Sequence, residues 1–242
     1  MTARMAGAEG RPSSPFVAGP LGLTMRTNEY EMFFSNTRAG DFSEPANDGV
    51  QAVETLSGIP LSAWAQDDQV HGAEVRLTAA DEEPIAFHHA VDGQLTSRRG
   101  VLCAVRTADC LPVLVAGGGV AGALHAGWRG LAAGIIESGV AQAQQEAEEG
   151  ASLVAAIGPG ARGCCYEVSS DVREVFANIP RAIAGSGNVD LAAVAEHKLR
   201  AAGVETIYDS EICTICSRSD EFFSYRRDGG RTGRMLGAAW LI

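Results

Sequence analysis

Residues 101–126 read VLCAVRTADCLPVLVAGGGVAGALHA and contain three short apolar runs, at 101–107, 111–116 and 119–126. Between the runs stand residues 108–110 and a set of consecutive glycines, which favour turns. Apolar runs of this length that are bounded by turn residues are typical of β-strands. The stretch therefore predicts three consecutive strands, around which the rest of the fold is arranged.

Outside this stretch the sequence predicts further strands and several helices. Additional strands are expected at 31–37, in the alternating part of 64–78 and at 153–159. Helix-forming composition, apolar spacing and capping residues predict helices at 130–148, 171–179 and 189–203. Because helices interrupt the strands, we expect a mixed α/β protein whose helices cover the sheet.

The chain shows no internal repeat and no interior linker, so a single domain over residues 20–242 is expected. Residues 1–19 are small, polar and rich in proline and glycine, and we expect this tail to be disordered. Residues 1–16 lack the apolar core that a signal peptide needs.

The composition excludes several classes of function. The net charge is −11 over 242 residues, whereas a general nucleic-acid binder would carry a basic surface. The most apolar tract, 111–124, contains Pro112 and is too short to span a bilayer. We therefore expect a cytoplasmic protein that binds neither nucleic acid nor membrane and that shows no sign of a protein partner. In that compartment its six cysteines are interpreted as thiols or metal ligands.

Three side chains able to bind a metal, His71, Cys110 and His125, stand at separated points beside predicted strands. Two imidazoles and a thiolate can occupy three corners of a tetrahedral Zn²⁺ site and leave the fourth for water or substrate. Water at such a position is deprotonated near neutral pH and becomes a nucleophile. Spacing alone leaves a second interpretation open, in which Cys110 is a core thiol and both histidines are merely hydrogen-bonded.

Five segments together resemble one known family. They are QVHGAEV (69–75), DGQLTSRRGVLCAVRTADCLPVLVA (92–116), GALHAGWRGLAAGI (122–135), AIGPGARGCCYEV (156–168) and FFSYRRDGGRTGR (222–234). In this order they resemble the bacterial laccase-domain family, also called polyphenol oxidases or multicopper-oxidase-like proteins, over roughly residues 30–242. That family is better described as zinc-dependent purine nucleoside phosphorylases.

The resemblance implies a layered α-β-β-α fold, similar to the catalytic domain of cytotoxic necrotising toxins. It implies a zinc ion held by His71, Cys110 and His125, which match the three ligand positions of the family. It also implies phosphorolysis of adenosine, inosine, guanosine and 5′-methylthioadenosine by inorganic phosphate, together with adenosine deamination.

Further residues can be placed beside this implied zinc site. Asp109, next to Cys110, is a candidate general acid/base, although a turn or cap role is equally open. Arg38 and Arg129 are candidate contacts to phosphate or ribose, because phosphorolysis needs a phosphate held in line with the ribose C1′ atom. A surface ion pair is the alternative for both arginines. The loop after Arg38 is shorter than is usual in this family, so Asn47 is not equated with the family's asparagine.

Other functions compete with this interpretation. A multicopper oxidase needs about ten histidines to hold its copper ions. This chain has five, so copper is disfavoured against zinc and any polyphenol oxidase activity is expected to be weak. A cysteine hydrolase or deamidase could instead use Cys110 as nucleophile and His125 as base, and it would need no metal. A non-enzymatic interaction module is a third class of function. It would not explain why three side chains able to bind a metal stand beside predicted strands.

The remaining cysteines receive no catalytic role from the sequence. Cys213 and Cys216 form a single C-x-x-C motif, and a structural zinc would need a second pair of ligands. The adjacent Cys164 and Cys165 are expected in a buried turn rather than in one metal site. Cys103 lies inside an apolar run and is expected in the core.

Three other features are interpreted as structural. His88 and His89 are expected to face solvent, and Asp92 is expected to begin a turn before a strand. Several arginines near the C-terminus are expected to form a local ion-pair patch, with phosphate binding as the alternative. They are Arg226, Arg227, Arg231 and Arg234.

Overall fold

The structure is a computed structural model, and it describes residues 14–43, 48–78 and 89–242. Its strands in chain order are β1 (Val17–Gly19), β2 (Gly22–Arg26), β3 (Tyr30–Ser35), β4 (Trp64–Ala65), β5 (Val75–Thr78), β6 (Gly93–Thr96), β7 (Leu102–Thr107), β8 (Leu111–Gly117), β9 (Val120–Ala126), β10 (Val154–Ile157), β11 (Ile183–Ala184), β12 (Asn188–Val189), β13 (Thr206–Asp209) and β14 (Met235–Leu241). Its α-helices are α1 (Asp48–Ser57), α2 (Trp128–Ala133), α3 (Ile135–Glu146), α4 (Ser170–Val175) and α5 (Leu191–Ala201).

Two six-stranded sheets form the centre of the molecule. The first has the order β1-β2-β3-β14-β7-β4, and the second has the order β13-β10-β8-β9-β6-β5. The hairpin β8–β9 lies in the middle of the second sheet, whereas β7, which precedes it in the chain, lies in the first. The chain therefore crosses from one sheet to the other at residues 108–110, and Cys110 stands at this crossing.

The two sheets pack face to face through side chains that alternate along each strand. In β7, Cys103 and Val105 point between the sheets, whereas Leu102 and Ala104 point to the outer face of the first sheet. The layer between the sheets is rich in small side chains, so the sheets can approach closely. Its alanines are Ala65, Ala116, Ala121, Ala123, Ala156 and Ala239.

Helices cover the outer face of each sheet. α1 packs on the first sheet through Val50 and Val53, which belong to the same buried cluster as Trp64. α3 and α5 pack on the second sheet, where Val140 and Leu199 belong to a larger cluster. This order of layers confirms the mixed α/β class and the α-β-β-α arrangement, while the likeness to the toxin domain stays a prediction. No described helix combines the length and the apolar composition that a bilayer crossing requires.

Most of the predicted elements are confirmed, with two changes. The runs at 101–107, 111–116 and 119–126 form β7, β8 and β9, and the segments 31–37 and 153–159 contain β3 and β10. Only the two ends of 64–78 are strands, because the middle forms the loop that carries His71. The predicted helix over 130–148 is divided into α2 and α3, since Gly134 adopts a left-handed conformation with φ 100° between them.

The sequence predicts disorder over residues 1–19, but the C-terminal end of this tail is ordered in the structure. Val17–Gly19 form β1, which pairs antiparallel with β2 so that Val17 lies opposite Thr24. The Phe16 ring also meets the Phe34 ring edge to face, with centroids 5.8 Å apart. Strand pairing and this aromatic contact order residues 16–19. Residues 1–13 lie outside the described residues, and the single domain over 20–242 stays a prediction.

Leu114→Ala is expected to lower the free energy of unfolding by about 2–5 kcal/mol, because it leaves a cavity between the sheets. Leu114 is fully buried in that layer. The measurement is urea unfolding. The midpoint should fall, while the slope of the unfolding free energy against urea concentration stays unchanged. The same change at Leu56, which is 38% exposed on α1, is the control. It should lower stability by less than about 1 kcal/mol, and equal losses at both positions would contradict the packing described.

Candidate metal centre

The three predicted metal ligands, His71, Cys110 and His125, come together in the structure. Their ligand atoms all lie within 4.8 Å of one another. The two imidazole rings have centroids 4.9 Å apart and meet edge to face. His71 is exposed, Cys110 is half-buried and His125 is buried. The group is therefore reached from one side, which is the arrangement of a metal site with an open position.

The β8–β9 hairpin sets the position of Cys110. Leu111 pairs with Ala126 at the open end of the hairpin, which places Cys110 beside Gly127. A Cβ atom on Gly127 would lie 2.8 Å from the Cys110 sulfur and 3.3 Å from the ring of His71. Glycine is therefore required here by the close approach of the backbone to the ligands.

Asp92, which the sequence alone identifies only as a turn residue, holds both histidines. Its carboxylate accepts hydrogen bonds from the backbone N–H groups of Val70, His71 and Gly72 at 3.1, 2.9 and 2.6 Å. The same carboxylate lies 2.7 Å from Nδ1 of His125. These bonds hold His71 in a left-handed backbone conformation, with φ 63°. Because Asp92 engages Nδ1 of His125, the Nε2 atom is the nitrogen left for a metal.

These groups set one another's protonation. Burial raises the pKa of Cys110, but the charges and hydrogen bonds of His125 and His71 outweigh it and bring that pKa to about 6. Burial lowers the pKa of His125, yet Cys110 and Asp92 raise it to about 9. Burial also raises the pKa of Asp92, and its hydrogen bonds, first that from His125, bring it below the usual value. Near neutral pH the metal-free protein therefore holds a thiolate, an imidazolium and a carboxylate side by side.

The ligands line a cleft of about 750 Å³. Four arginines share its wall with three aromatic side chains; they are Arg106, Arg129, Arg226 and Arg234, with Trp128, Tyr166 and Tyr225. In a chain of net charge −11, this is a local concentration of positive charge. Guanidinium groups suit a phosphate, and the aromatic faces suit a flat ring system.

Contacts within the protein hold two of these arginines in place. The guanidinium of Arg129 stacks on the Trp128 ring, 4.7 Å from its centroid. The guanidinium of Arg226 lies 5.3 Å from the centroid of the Tyr166 ring and donates to the Glu167 carbonyl at 3.0 Å. Side chains that are held in this way lose less freedom when a ligand binds.

Asp109 lies on the cleft, as predicted, but its carboxylate is engaged. It is buried, with φ 87°. One oxygen accepts from the Thr214 hydroxyl at 2.6 Å, and the other accepts from the backbone N–H of Arg226 at 2.7 Å. These bonds agree with the structural alternative, and the general acid/base role of Asp109 stays a prediction.

The second predicted phosphate contact, Arg38, does not line the cleft with the other site residues. Its side chain is exposed and is not among the residues that line the cleft, at least in the described part of the chain. The hydroxyl of the preceding residue, Thr37, donates to the backbone carbonyl of Asp220. This hydrogen bond attaches the segment of Arg38 to the loop that contains Asp220. Asn47, in the shortened loop after Arg38, lies outside the described residues.

A second cluster in the structure consists of four cysteines to which the sequence assigns no role. The sulfur atoms of Cys164, Cys165, Cys213 and Cys216 all lie within 4.8 Å of one another. The expected burial of this turn is wrong, because Cys164 is exposed and Cys165 is only half-buried. The C-x-x-C motif has the second pair of cysteines that the sequence does not reveal. Cys103 is confirmed as a core residue between the sheets.

The remaining features are divided between structural roles and the cleft. His89 is exposed beside Asp67, with 3.5 Å between its Nδ1 and a carboxylate oxygen, and His88 lies outside the described residues. In the C-terminal arginine cluster, Arg227 pairs with Asp228 at 2.7 Å, as expected for a local ion-pair patch. Two other arginines of the cluster, Arg226 and Arg234, line the cleft.

Comparison with known proteins gives relatives over most of the chain. The profile of the family described as multi-copper polyphenol oxidoreductase laccase matches residues 24–242. The purine nucleoside phosphorylase YfiH of Shigella flexneri is 40% identical over 225 residues, which cover 88% of each chain. The purine nucleoside phosphorylase SCO2081 of Streptomyces coelicolor is 40% identical over 183 residues, which cover 72% of this chain and 73% of that relative.

Solved structures extend the likeness to the fold. The hypothetical protein YfiH of Bacillus licheniformis superimposes with a TM-score of 0.81 at 28% identity, over 94% of this chain and 99% of that one. YlmD of Geobacillus stearothermophilus superimposes with a TM-score of 0.76 at 29% identity, over 95% of this chain and 99% of that one. The likeness therefore extends over both sheets and the helices that cover them.

In metal-free protein, Cys110 is expected to react with iodoacetamide at a rate that rises through a pKa of about 6. Only the thiolate is the nucleophile, and an ordinary cysteine would show this rise near pH ~8.5. The measurement is the rate of Cys110 alkylation at a series of pH values, read by mass spectrometry of its peptide. Cys103, which is fully buried, is the internal control and should stay unmodified.

His125→Ala should move this rise toward the ordinary cysteine value, because the variant removes the cation beside the sulfur. An identical pH dependence in the wild type and in the variant would contradict the pairing of thiolate and imidazolium.

Proposed function

This chain belongs to the multi-copper polyphenol oxidoreductase laccase family, in which several curated relatives are named purine nucleoside phosphorylases, and we propose that it is itself a zinc-dependent purine nucleoside phosphorylase. Its proposed substrates are adenosine, inosine, guanosine and 5′-methylthioadenosine with inorganic phosphate, and adenosine deamination is proposed as a second activity. The observation that carries the proposal is the convergence of His71, Cys110 and His125 in a cleft lined by arginines and aromatic rings.

The donor set fits zinc. Two imidazoles and one thiolate are ligands that zinc prefers, and three protein ligands leave one position open. The absence of a side chain at Gly127 keeps the space beside Cys110 and His71 clear. Asp92 supplies the outer hydrogen bond that metal-binding histidines usually have. When bound, zinc would supply Lewis acidity near neutral pH, which the deamination of adenosine requires.

The arginines of the cleft are proposed to bind the phosphate. Arg129 is the first choice, because it is exposed, stacks on Trp128 and makes no ion pair with any described residue. Arg226 and Arg234 line the same cleft and would add positive charge around the anion. Held there, phosphate could be kept in line with the ribose C1′ atom, which is the main requirement of phosphorolysis.

The aromatic side chains are proposed to hold the purine. Trp128, Tyr166 and Tyr225 line the cleft together with the metal ligands. In phosphorolysis the bond between the purine nitrogen and C1′ breaks and a phosphate oxygen bonds to C1′, so the products are a free purine and ribose 1-phosphate. The departing purine takes up a proton, and Asp109 is the proposed acid/base of the cleft. Its bonds to Thr214 and Arg226 would hold its carboxylate in one place.

One observation favours a second candidate, a cysteine hydrolase. Cys110, His125 and Asp92 form a series in which a carboxylate orients an imidazole that contacts a thiolate. This is the order of roles in a Cys-His-Asp triad, with Cys110 as nucleophile and His125 as base. Such an enzyme has no need of His71, whose ring nevertheless lies against His125. We prefer the metal site because it gives His71 a role at this position, whereas the triad does not.

With inosine and inorganic phosphate, the purified protein is expected to release hypoxanthine and ribose 1-phosphate, measured by chromatography with and without phosphate. His71→Ala and Cys110→Ala should each abolish this turnover and lower the zinc content by about one equivalent. Cys103→Ala is the matched control, because this thiol lies in the core outside both groups of ligands.

The same measurements separate the two candidates. If His71→Ala retains the zinc content of the wild type, and if added zinc does not slow the alkylation of Cys110, the phosphorylase proposal is overturned in favour of the hydrolase. Release of base without phosphate would likewise contradict phosphorolysis.

Arg129→Gln is expected to raise the KM for phosphate by roughly tenfold or more, because a charged hydrogen bond of ~1.5–3 kcal/mol is lost. Zinc content should not change. The measurement is initial rate against phosphate concentration at saturating nucleoside. Arg26→Gln is the control, because this side chain is 63% exposed and lies outside the cleft.

Arg38→Gln belongs in the same series, because the family resemblance predicts a phosphate contact there. An unchanged KM for phosphate in Arg38→Gln would exclude that role. An unchanged KM in Arg129→Gln would exclude the role proposed for Arg129.

A further inference from the structure

Four cysteines meet where two parallel strands end. β10 and β13 pair in parallel, with Ile157 opposite Asp209 at their carboxyl ends. The loops that follow these strands therefore leave the same edge of the second sheet. The first loop carries the adjacent pair Cys164 and Cys165, and the second loop carries the C-x-x-C motif. Sheet topology thus brings together two pairs of thiols that are far apart in the sequence.

Contacts that do not involve the cysteine sulfurs fasten the two loops to each other. Gly160 and Cys213 form a backbone bridge, and the N–H of Thr214 donates to the Gly160 carbonyl at 3.0 Å. The guanidinium of Arg162 forms a two-point ion pair with Asp209, at 2.7 and 2.8 Å. The loops are therefore held in register by the protein itself, which is what a preformed ligand site needs.

The spacing of the sulfurs suits one tetrahedral metal ion. All four sulfurs lie within 4.8 Å of one another, and those of Cys164 and Cys216 are 3.9 Å apart. With Zn–S bonds of ~2.3 Å, tetrahedral geometry places neighbouring sulfurs roughly 3.8 Å apart. A disulfide requires a sulfur separation of only about 2.05 Å. A small inward movement of the side chains would complete the coordination.

We propose that Cys164, Cys165, Cys213 and Cys216 bind a second zinc ion, separate from the centre in the cleft. Four thiolates fill all four positions of a tetrahedral ion, so the site has no position for substrate and is structural. Soft sulfur ligands select zinc over magnesium or calcium. Each thiol releases its proton when it binds, so the site is formed only where the metal can displace those protons.

The proposed site supports one wall of the cleft. Thr214, inside the C-x-x-C motif, donates to Asp109. The guanidinium of Arg227 donates to the carbonyls of Thr214 and Ser217 at 2.9 and 3.2 Å. The segment that includes Tyr225 is thereby attached to the cysteine loop, and Tyr225 lines the cleft.

The test is the zinc content of the full-length protein purified with reductant and with zinc in the growth medium. Elemental analysis should give about two equivalents per chain in the wild type and about one in Cys213→Ser, in Cys216→Ser and in Cys110→Ala. The exposed Cys216 provides the milder variant if Cys213→Ser fails to fold. Cys103→Ala should retain both ions, because this buried thiol belongs to neither group.

Cobalt(II) substitution assigns each ion to its site without any assay of activity. Cobalt held by several thiolates gives an intense sulfur-to-metal charge-transfer band, which should keep most of its intensity in Cys110→Ala and fall to the weaker band of the single Cys110 thiolate in Cys216→Ser. If Cys216→Ser has the zinc content and cobalt spectrum of the wild type, the proposal is wrong. A disulfide between Cys164 and Cys216 in protein purified with reductant would also overturn it. Loss of the cleft centre alone, with the cobalt band intact, would leave the four-cysteine site standing and count only against the proposed phosphorylase.

Discussion

One carboxylate, that of Asp92, connects the parts of the candidate metal centre that come from different regions of the chain. It is fully buried, and it accepts three backbone N–H bonds from the loop of His71 while it holds the imidazole of His125. A buried carboxylate without such partners would be strongly destabilising, so this group and its partners constrain one another. The left-handed backbone of His71, the orientation of His125 and the low pKa of Cys110 all depend on this arrangement.

The sheet supplies the position of that carboxylate. Asp92 immediately precedes β6, and Gly93 pairs with Leu124 of β9, so Asp92 lies opposite His125. The N–H of His125 donates to the Asp92 carbonyl at 2.7 Å, and the two side chains meet as well. A shift of β6 by one residue would turn the carboxylate to the opposite face of the sheet. The relative positions of the candidate metal ligands therefore depend on strand register, which the packed layers on both sides maintain.

The central strands could be predicted because short apolar runs and turn residues are local signals, whereas the break at Gly134 depends on one residue's conformation. The ligands of the cleft were identifiable from motifs, since spacing alone left a core thiol and two ordinary histidines as an alternative. Asp92 was not, because its partners Gly72 and His125 are joined to it only by the fold. The four-cysteine group was hidden for the same reason: it depends on the parallel pairing of β10 and β13, which periodicity does not reveal.

The crossing between the sheets links the two groups of thiols in the structure. At this crossing Asp109 takes a left-handed conformation, which is unfavourable for a residue with a side chain, and it is buried. Its bonds to Thr214 and to the backbone of Arg226 compensate for that conformation. Cys110 is the next residue, so this turn sets the position of its sulfur. The loop that carries Cys213 and Cys216 holds the turn through Thr214. The stability of that loop is therefore part of what positions the thiolate in the cleft.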